Sequence, residues 1–464
     1  MTMKAGSHPG DSAARRLITR AIGRAAAIFH DIERTGEAVP DGPVLVVANH
    51  PNSLLDPLVI FRTAGRPTRP LAKAPLFEQL FVGSMLRLLG GLPVFRRQDD
   101  AAQMHRNERT FDAAIDALRS GHAVQIYPEG TSHSEPALVP LRTGAARIAL
   151  SAESRSGWAL GLRIVPIGLT YRRKNLFRGT VLAFIGEAFR ITSFRAQFES
   201  EPQEAVRALT DEIARRLQAV TLNLAENEDL ELIETADRLY AREKGVHGWR
   251  EREALAERLP RLQAFARGLG WLRANDPARH TRLARAVRRY QRALALFGAT
   301  EADVPPRYEA GSVVRYVLRE TAALLVLVPF AAAGAVLWMP AYLAPRLVLR
   351  FVKPEFEAIA TYKIATGFFA VPLTCIIAAG LVWAVAGGWP ALVTVLAVPL
   401  AGLAAIAWWE RWRRVREDAL VFLRALTRRG TVDRLAGLRS QLVTEFDRIL
   451  DELPAVRTPP ERAG

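Results

Sequence analysis

The sequence of 464 residues holds one cysteine, Cys375. That excludes a disulfide framework and any cysteine-based zinc site. Lysine is confined to Lys4, Lys73, Lys174, Lys244, Lys353 and Lys363; all other basic residues, of 63 Lys and Arg together, are arginine. The N-terminus, MTMKAGSHPGDSAARR, lacks an apolar run before its first charges, so it does not read as a secretory signal. Charge is missing altogether from 321–345 and from 364–409. What is present excludes wholesale disorder: 50% of residues are hydrophobic and 24% charged. The net charge of +16 suits anionic headgroups, phosphorylated substrates or nucleic acid, and composition does not choose among them.

The chain changes character four times. Residues 1–12 read as a disordered N-terminus. Residues 13–32 place Leu17, Ile18, Ile22, Ile28 and Phe29 near helical spacing, with Arg15, Arg16, Arg20 and Arg24 between them. Such a basic amphipathic helix either lies on a membrane or packs on its domain. From 43 to 190, buried-strand runs (44–48, 123–127, 163–171, 180–186) alternate with helical patterns (57–64, 76–89, 105–120, 143–154). This predicts an α/β domain over 13–220, a mixed sheet flanked by helices. Residues 221–312 are helical and charged.

Membrane segments are expected over 313–410. Residues 364–409 would be about 69 Å long as helix, enough for two crossings of a ~30 Å hydrocarbon core. Gly387, Gly388 and Pro390 mark a turn between transmembrane helices at 364–386 and 390–409. Arg346, Arg350, Lys353 and Lys363 precede this hairpin and Arg411, Arg413, Arg414 and Arg416 follow it, so both ends should be cytoplasmic. The 321–345 segment has basic residues on both flanks and is interrupted by Pro329, Pro340 and Pro345. It is therefore expected as a re-entrant or interfacial segment. Residues 411–464 read as a cytoplasmic amphipathic helical tail.

Four segments carry possible chemistry. VLVVANHPNSLLDPLVIF (44–61) reads as a strand ending at Asn49 and His50, a loop, and a helix capped by Asp56 with Pro57 at its first position. If His50 to Leu55 is loop, Asp56 can fold back to the imidazole; on a continuous helix the two would lie about 120° apart. A carboxylate that fixes a His tautomer is the apparatus of general-base catalysis, although such a pair alone is more often structural. GGLPVFRRQDD (90–100) offers Gly91 and a possible phosphate clamp in Arg96 and Arg97. YPEGTSHSEP (127–136) puts Glu129 after a strand, where open sheets bind ligands. There Glu129 bonds either substrate hydroxyls or backbone amides of its own turn. In IVPIGLTY (164–171), Pro166 could edge a pocket.

Taken in order, NHPNSLLD, GLPVFR, YPEGTSH and IVPIG resemble the four blocks of the phospholipid/glycerol acyltransferase (lysophosphatidate acyltransferase-like) family. That family's blocks usually read Asn-His-x4-Asp, Gly-x-x-Phe-x-x-Arg, Phe-Pro-Glu-Gly-Thr-Arg-Ser and a Val-Pro strand. The resemblance covers about residues 13–220. Two departures stand out: five residues separate His50 from Asp56, and Ser132 replaces the third-block Arg. Both look like fungal-type glycerol-3-phosphate/dihydroxyacetone-phosphate acyltransferases, as does the membrane region that follows.

The resemblance implies that His50 deprotonates an acceptor hydroxyl, Asp56 orients it, and backbone amides near His50 or Gly130 bind the oxyanion. Substrate contacts would come from Asn49, Lys73, Gly91, Arg96, Arg97, Glu129, Gly130, Thr131, Ser132, His133 and Pro166. Within this set, Glu129 and Gly130 would shape the polyol site. Lys73, Arg96 and Arg97 would hold phosphate, with His133 and Arg142 behind them. No metal or cofactor is expected; acyl-CoA or acyl-ACP is co-substrate.

The implied reaction is acylation of the sn-1 hydroxyl of glycerol 3-phosphate or dihydroxyacetone phosphate by an enzyme of a bacterial-type inner membrane or its equivalent. Its catalytic domain would be cytoplasmic, beside anionic lipids. One alternative is a 1-acylglycerol-3-phosphate (lysophospholipid) acyltransferase. Another is a non-catalytic basic membrane scaffold. The sequence carries no nucleic-acid-binding motif, so no nucleic-acid partner is expected.

Overall fold

The computed structural model of the chain describes residues 13–95, 107–135, 137–172, 179–224, 227–243, 254–296, 310–352, 359–427 and 429–453. The N-terminus expected at 1–12, and Arg96 and Arg97, lie outside the described residues. Contacts divide the chain into two units. One runs to Ala225 and adds 254–259 and 355–361; the other holds the rest.

The first unit opens with α1 (Ala13–Phe29), β1 (His30–Gly36), β2 (Val44–Ala48), α2 (Leu55–Thr63) and β3 (Thr68–Lys73). It continues with α3 (Leu80–Leu88), β4 (Leu92–Val94), α4 (Asn107–Arg119), β5 (Ala123–Ile126) and α5 (Gly144–Ser154). It closes with β6 (Arg163–Arg172), β7 (Gly179–Ile185), β8 (Phe189–Arg190), α6 (Arg195–Ser200) and α7 (Pro202–Val220). The strands form one sheet in the order β1-β7-β6-β2-β5-β3-β4, with β8 also on β6. Only the β6–β7 and β6–β8 pairings are antiparallel, which makes the sheet mixed, as expected.

Every residue of β2, VLVVA, is fully buried, because helices cover both faces of the sheet. Leu45 and Val47 enter a core with Ile115 and Leu118 of α4, Ile148 of α5, and Leu209, Ile213 and Leu217 of α7. Val44 and Val46 are buried on the opposite face, the side of α1 and α2. Close packing fixes individual residues. A Cβ on Gly168 of β6 would stand 1.9 Å from the Val220 carbonyl oxygen at the end of α7.

Pro166 lies inside β6, a central strand, where a missing N–H ordinarily breaks a ladder. Here it falls in a gap. β7 pairs from Ile167 onward and β8 only at Arg163 and Ile164. The Pro166 carbonyl accepts from Gly186 N at 2.8 Å on that side, so the absent donor costs no bond to β2.

The second unit contains α8 (Asn227–Glu243), most of α9 (Leu255–Asn275), α10 (Pro277–Leu296), α11 (Ala310–Val352), α12 (Ile359–Ala386), α13 (Gly388–Thr427) and α14 (Arg429–Glu452). Leu239, Phe265, Leu269, Val287, Leu442 and Phe446 are buried in its bundle. Ion pairs bind the bundle's helices: Arg261–Asp237, Arg273–Asp229, Arg439–Glu243, and Arg279 with Glu445 and Glu452. Hydrogen bonds to Glu452 and Glu445 push the Arg279 guanidinium above its ordinary value. The expected amphipathic tail helix is a bundle member: α14 supplies Leu442, Phe446 and both carboxylates.

Arg315–Val352, Ala365–Ala386 and Gly388–Arg413 are each long and apolar enough to cross a bilayer. The expectation of a proline-broken segment at 321–345 is corrected. Pro329, Pro340 and Pro345 all lie inside the continuous helix α11. An apolar helix tolerates proline when a neighbour supports it, and α13 runs antiparallel along α11. Trp338 Nε1 donates to Val398 O at 2.9 Å, Trp408 Nε1 to Leu324 O at 3.1 Å, and Arg411 Nε to Glu320 at 2.5 Å. A Cβ on Gly334 would come within 2.1 Å of the Ala401 carbonyl oxygen, so small residues set the approach of the two helices.

Candidate active site

The C-terminal ends of the parallel strands β2, β5 and β3 lie along one sheet edge, bringing His50, Glu129 and Lys73 to the same side. β2 ends at Ala48 and the chain turns through residues 49–54 before α2 starts at Leu55. Ser53 adopts φ +42°, and this left-handed residue reverses the loop and absorbs the long His–Asp spacing. His50 Nδ1 and Asp56 Oδ2 meet at 2.8 Å.

Asp56 is fully buried and does not cap α2 as the sequence suggested. Leu54 occupies the cap position, and Asp56 sits in the first turn with its carboxylate directed at the loop. There Oδ2 also accepts from the Asn52 backbone N–H at 2.8 Å, and Oδ1 from the Tyr171 hydroxyl at 2.6 Å. The imidazole stacks on Tyr127, with ring centroids 4.0 Å apart. Burial, and then the charge of Asp56, raise both the Tyr127 and Tyr171 phenols well above their ordinary value. Both therefore stay protonated at neutral pH. A carboxylate only accepts, so Nδ1 of His50 is the donor and Nε2 is left as a base.

Glu129 answers the question its sequence position raised. It is 2% exposed, and Oε1 accepts the His50 backbone N–H at 2.7 Å. Oε2 accepts from Val139 N at 3.3 Å and bonds His133 Nε2. His133 N in turn donates to His50 O at 3.2 Å. The third block thus braces the His50 loop, with both Glu129 oxygens engaged by protein groups. The Gly130 N–H is committed to Tyr127 O at 3.0 Å and that of His50 to Glu129, so neither serves as the expected oxyanion donor. Gly130, at φ +74°, makes the turn, and its open side faces the Arg142 side chain.

Several expected substrate contacts are structural instead. Asn49 Oδ1 accepts from Leu169 N at 2.7 Å and its Nδ2 donates to Leu169 O at 3.0 Å, extending the β2–β6 ladder by one rung. Gly91 stands at the opposite, N-terminal end of β4, closing α3 through Leu86 O at 2.7 Å. Pro166 is buried beside Val47. Lys73 ends β3, which lies two strands, about 10 Å, from β2. Thr131 and Ser132 are half-buried, and Ser132 Oγ is buried without a hydrogen-bond partner among the described residues. A cleft lined by His50, Glu129, His133, Leu138 and Asn223 opens over these groups. No group of three His, Cys, Asp or Glu able to hold a metal ion occurs among the described residues.

Sequence reasoning passed over Tyr127 and Tyr171. Each sat in a segment already singled out, as the first letter of YPEG and the last of IVPIGLTY. The only signal was a phenol at a strand end beside the His–Asp edge.

Residues 31–170 match the family model described as Acyltransferase. Glycerol-3-phosphate O-acyltransferase 2 of Saccharomyces cerevisiae is 33% identical over 29% of this chain and 18% of that protein. An uncharacterized acyltransferase of Schizosaccharomyces pombe is 24% identical over 68% of this chain and 59% of that one. The chain thus spans less than two thirds of either relative. A 1-acyl-sn-glycerol-3-phosphate acyltransferase of Borreliella burgdorferi is 25% identical over 39% of this chain and 68% of that protein. The solved 1-acyl-sn-glycerophosphate acyltransferase of Thermotoga maritima aligns with a TM-score of 0.34 at 23% identity, over 47% of this chain and 81% of that one. Residues 31–170, which hold His50 and Asp56, thus match the Acyltransferase model and resemble glycerol-3-phosphate and 1-acyl-sn-glycerol-3-phosphate acyltransferases.

Proposed function

We propose that the chain is a membrane-bound O-acyltransferase that acylates the sn-1 hydroxyl of glycerol 3-phosphate or dihydroxyacetone phosphate. The observation that carries this reading is the 2.8 Å contact between His50 Nδ1 and Asp56, which leaves Nε2 beside the cleft as a base. Nε2 takes the proton of the acceptor hydroxyl while its oxygen attacks the thioester carbonyl of acyl-CoA or acyl-ACP. The C–O bond forms, the C–S bond breaks, and the imidazolium returns the proton to the departing thiolate. Asp56 stabilises the imidazolium, and no step draws on a metal or cofactor.

Phosphate recognition falls to four cations. Lys73 ends β3, Arg142 crosses the Gly130 turn with its guanidinium exposed, and Arg96 and Arg97 follow β4 in sequence. Arg142 would cover the charge lost with Ser132 in the third block. The basic flanks of the apolar helices favour a cytoplasmic catalytic domain next to anionic lipid.

The relative in Borreliella burgdorferi supports a second reading, with lysophosphatidate as acceptor. Purified full-length protein offered glycerol 3-phosphate, dihydroxyacetone phosphate and lysophosphatidate in parallel, each with acyl-CoA, separates the two. Acylation of lysophosphatidate alone would reject the first. In either case His50→Ala should lower kcat/KM by about 10³-fold or more while leaving membrane insertion intact. Wild-type turnover by that variant would refute the assignment of His50 as the catalytic base.

A further inference from the structure

Several exposed helical arginines of this chain are neutralised within their own helix. Arg195 pairs with Glu199, Arg207 with Glu204, and Arg215 and Arg216 with Glu212, all at three- or four-residue spacing. α10 concentrates arginines without such partners. Its sequence, PARHTRLARAVRRYQRALAL, has no Asp or Glu. Arg282, Arg285, Arg288, Arg289 and Arg292 are all exposed, and none meets a carboxylate among the described residues. Arg279, one turn earlier, points into the bundle and is paired twice.

The five are ordered in space as well as in sequence. At about 100° per residue they fall within an arc of about 120°, and the buried Leu283, Val287, Tyr290 and Leu294 occupy the opposite side. Bundle packing therefore fixes a row of guanidiniums about 15 Å long facing outward. Like charges at this spacing repel one another, and no carboxylate among the described residues pairs with them.

We infer that this face of α10 docks on the anionic phospholipid surface of the membrane that α11, α12 and α13 enter. Charge complementarity selects the occupant: planar guanidiniums engage phosphate oxygens bidentately, and a leaflet displays them as an extended sheet. Reach permits it, because residues 297–309 between α10 and α11 can span at most about 45 Å. The inference rests on the membrane reading of the apolar helices and adds a second attachment, electrostatic and hence sensitive to salt.

The test is arginine footprinting of the full chain in lipid nanodiscs, with phenylglyoxal as the reagent and peptide mass spectrometry as the readout. Discs are phosphatidylcholine alone or phosphatidylcholine with a minor fraction of phosphatidylglycerol. The five α10 arginines should react at least about fivefold more slowly in the anionic discs, and high salt should restore the rate. Arg195 and Arg207 should react alike in both.

Equal rates for α10 in the two discs would overturn the proposal and leave a solvated face. Equal protection by inorganic phosphate in phosphatidylcholine discs, or by RNA, would also overturn it, assigning the face to a soluble anion or to nucleic acid. A chain that enters neither disc sinks the membrane reading and this proposal together, whereas entry with unchanged labelling sinks this proposal alone.

Discussion

The His50 site and the α11–α13 contact both place hydrogen-bonding groups among apolar neighbours, and they are assembled in opposite ways. Around His50 the key partner is six residues away, and one loop closes the pair. Along α11 and α13 the partners are separated by 60, 84 and 91 residues, and two long helices must first lie side by side. The first arrangement leaves a readable spacing in the sequence. The second leaves only isolated Trp338, Trp408 and Glu320 in apolar or mixed runs, each of which could have faced lipid.

That contrast predicts how each region responds to damage. The largest effect belongs to Asp56→Asn, which keeps the side-chain shape and loses the charge that fixes the His50 tautomer. kcat/KM for acyl transfer should fall about 10³-fold, equivalent to about 4 kcal/mol, with melting changed little by comparison. An effect below tenfold would make the contact structural.

Next comes Gly168→Ala. Its Cβ would meet the Val220 carbonyl, so unfolding stability should drop by about 3 kcal/mol or more in a denaturant titration.

Tyr171→Phe removes one donor to Asp56 and should cost about 1 kcal/mol, with less than a tenfold loss of kcat/KM. It also changes the alkaline limb of stability. The Tyr171 phenol titrates higher in the folded chain than in the unfolded one, so its contribution is intact below the ordinary tyrosine value, about 10, and is lost as pH rises beyond it. The variant's stability should therefore decline less steeply above that pH than the wild type's.

The smallest effect is expected for Trp408→Phe, at about 0.6 kcal/mol, the scale of hydrogen bonds between apolar helices. Reversible unfolding in mixed micelles would measure it. A larger loss than for Tyr171→Phe would reverse the comparison and make the helix pair the more demanding of the two regions.

The central strands were legible because β2, β5, β6 and β7 are continuous apolar runs, and the His50–Asp56 contact because a loop had to separate them. The rest was hidden for physical reasons. β1, HDIERTG, is an edge strand with one neighbour and keeps polar residues, so its start read as the end of the preceding helix. β3, TRPLAK, carries Arg69, Pro70 and Lys73, and its apolar signal is too short to stand out. The roles of Asn49, Glu129 and Gly91 followed from where neighbouring backbone groups fall, and a motif does not display them. α14 was visible as amphipathic, but its partners in α8 and α10 were not.

The side chain of Asn49 has a consequence for the temperature at which activity is lost. It ties the residue before His50 to Leu169 by two hydrogen bonds, so the base moves with the central sheet. Heat should not loosen the site before it loosens the protein. Activity and the native fold should fail in one transition, and substrate should raise the melting point by occupying the cleft, since the His50 loop is already tied to the sheet.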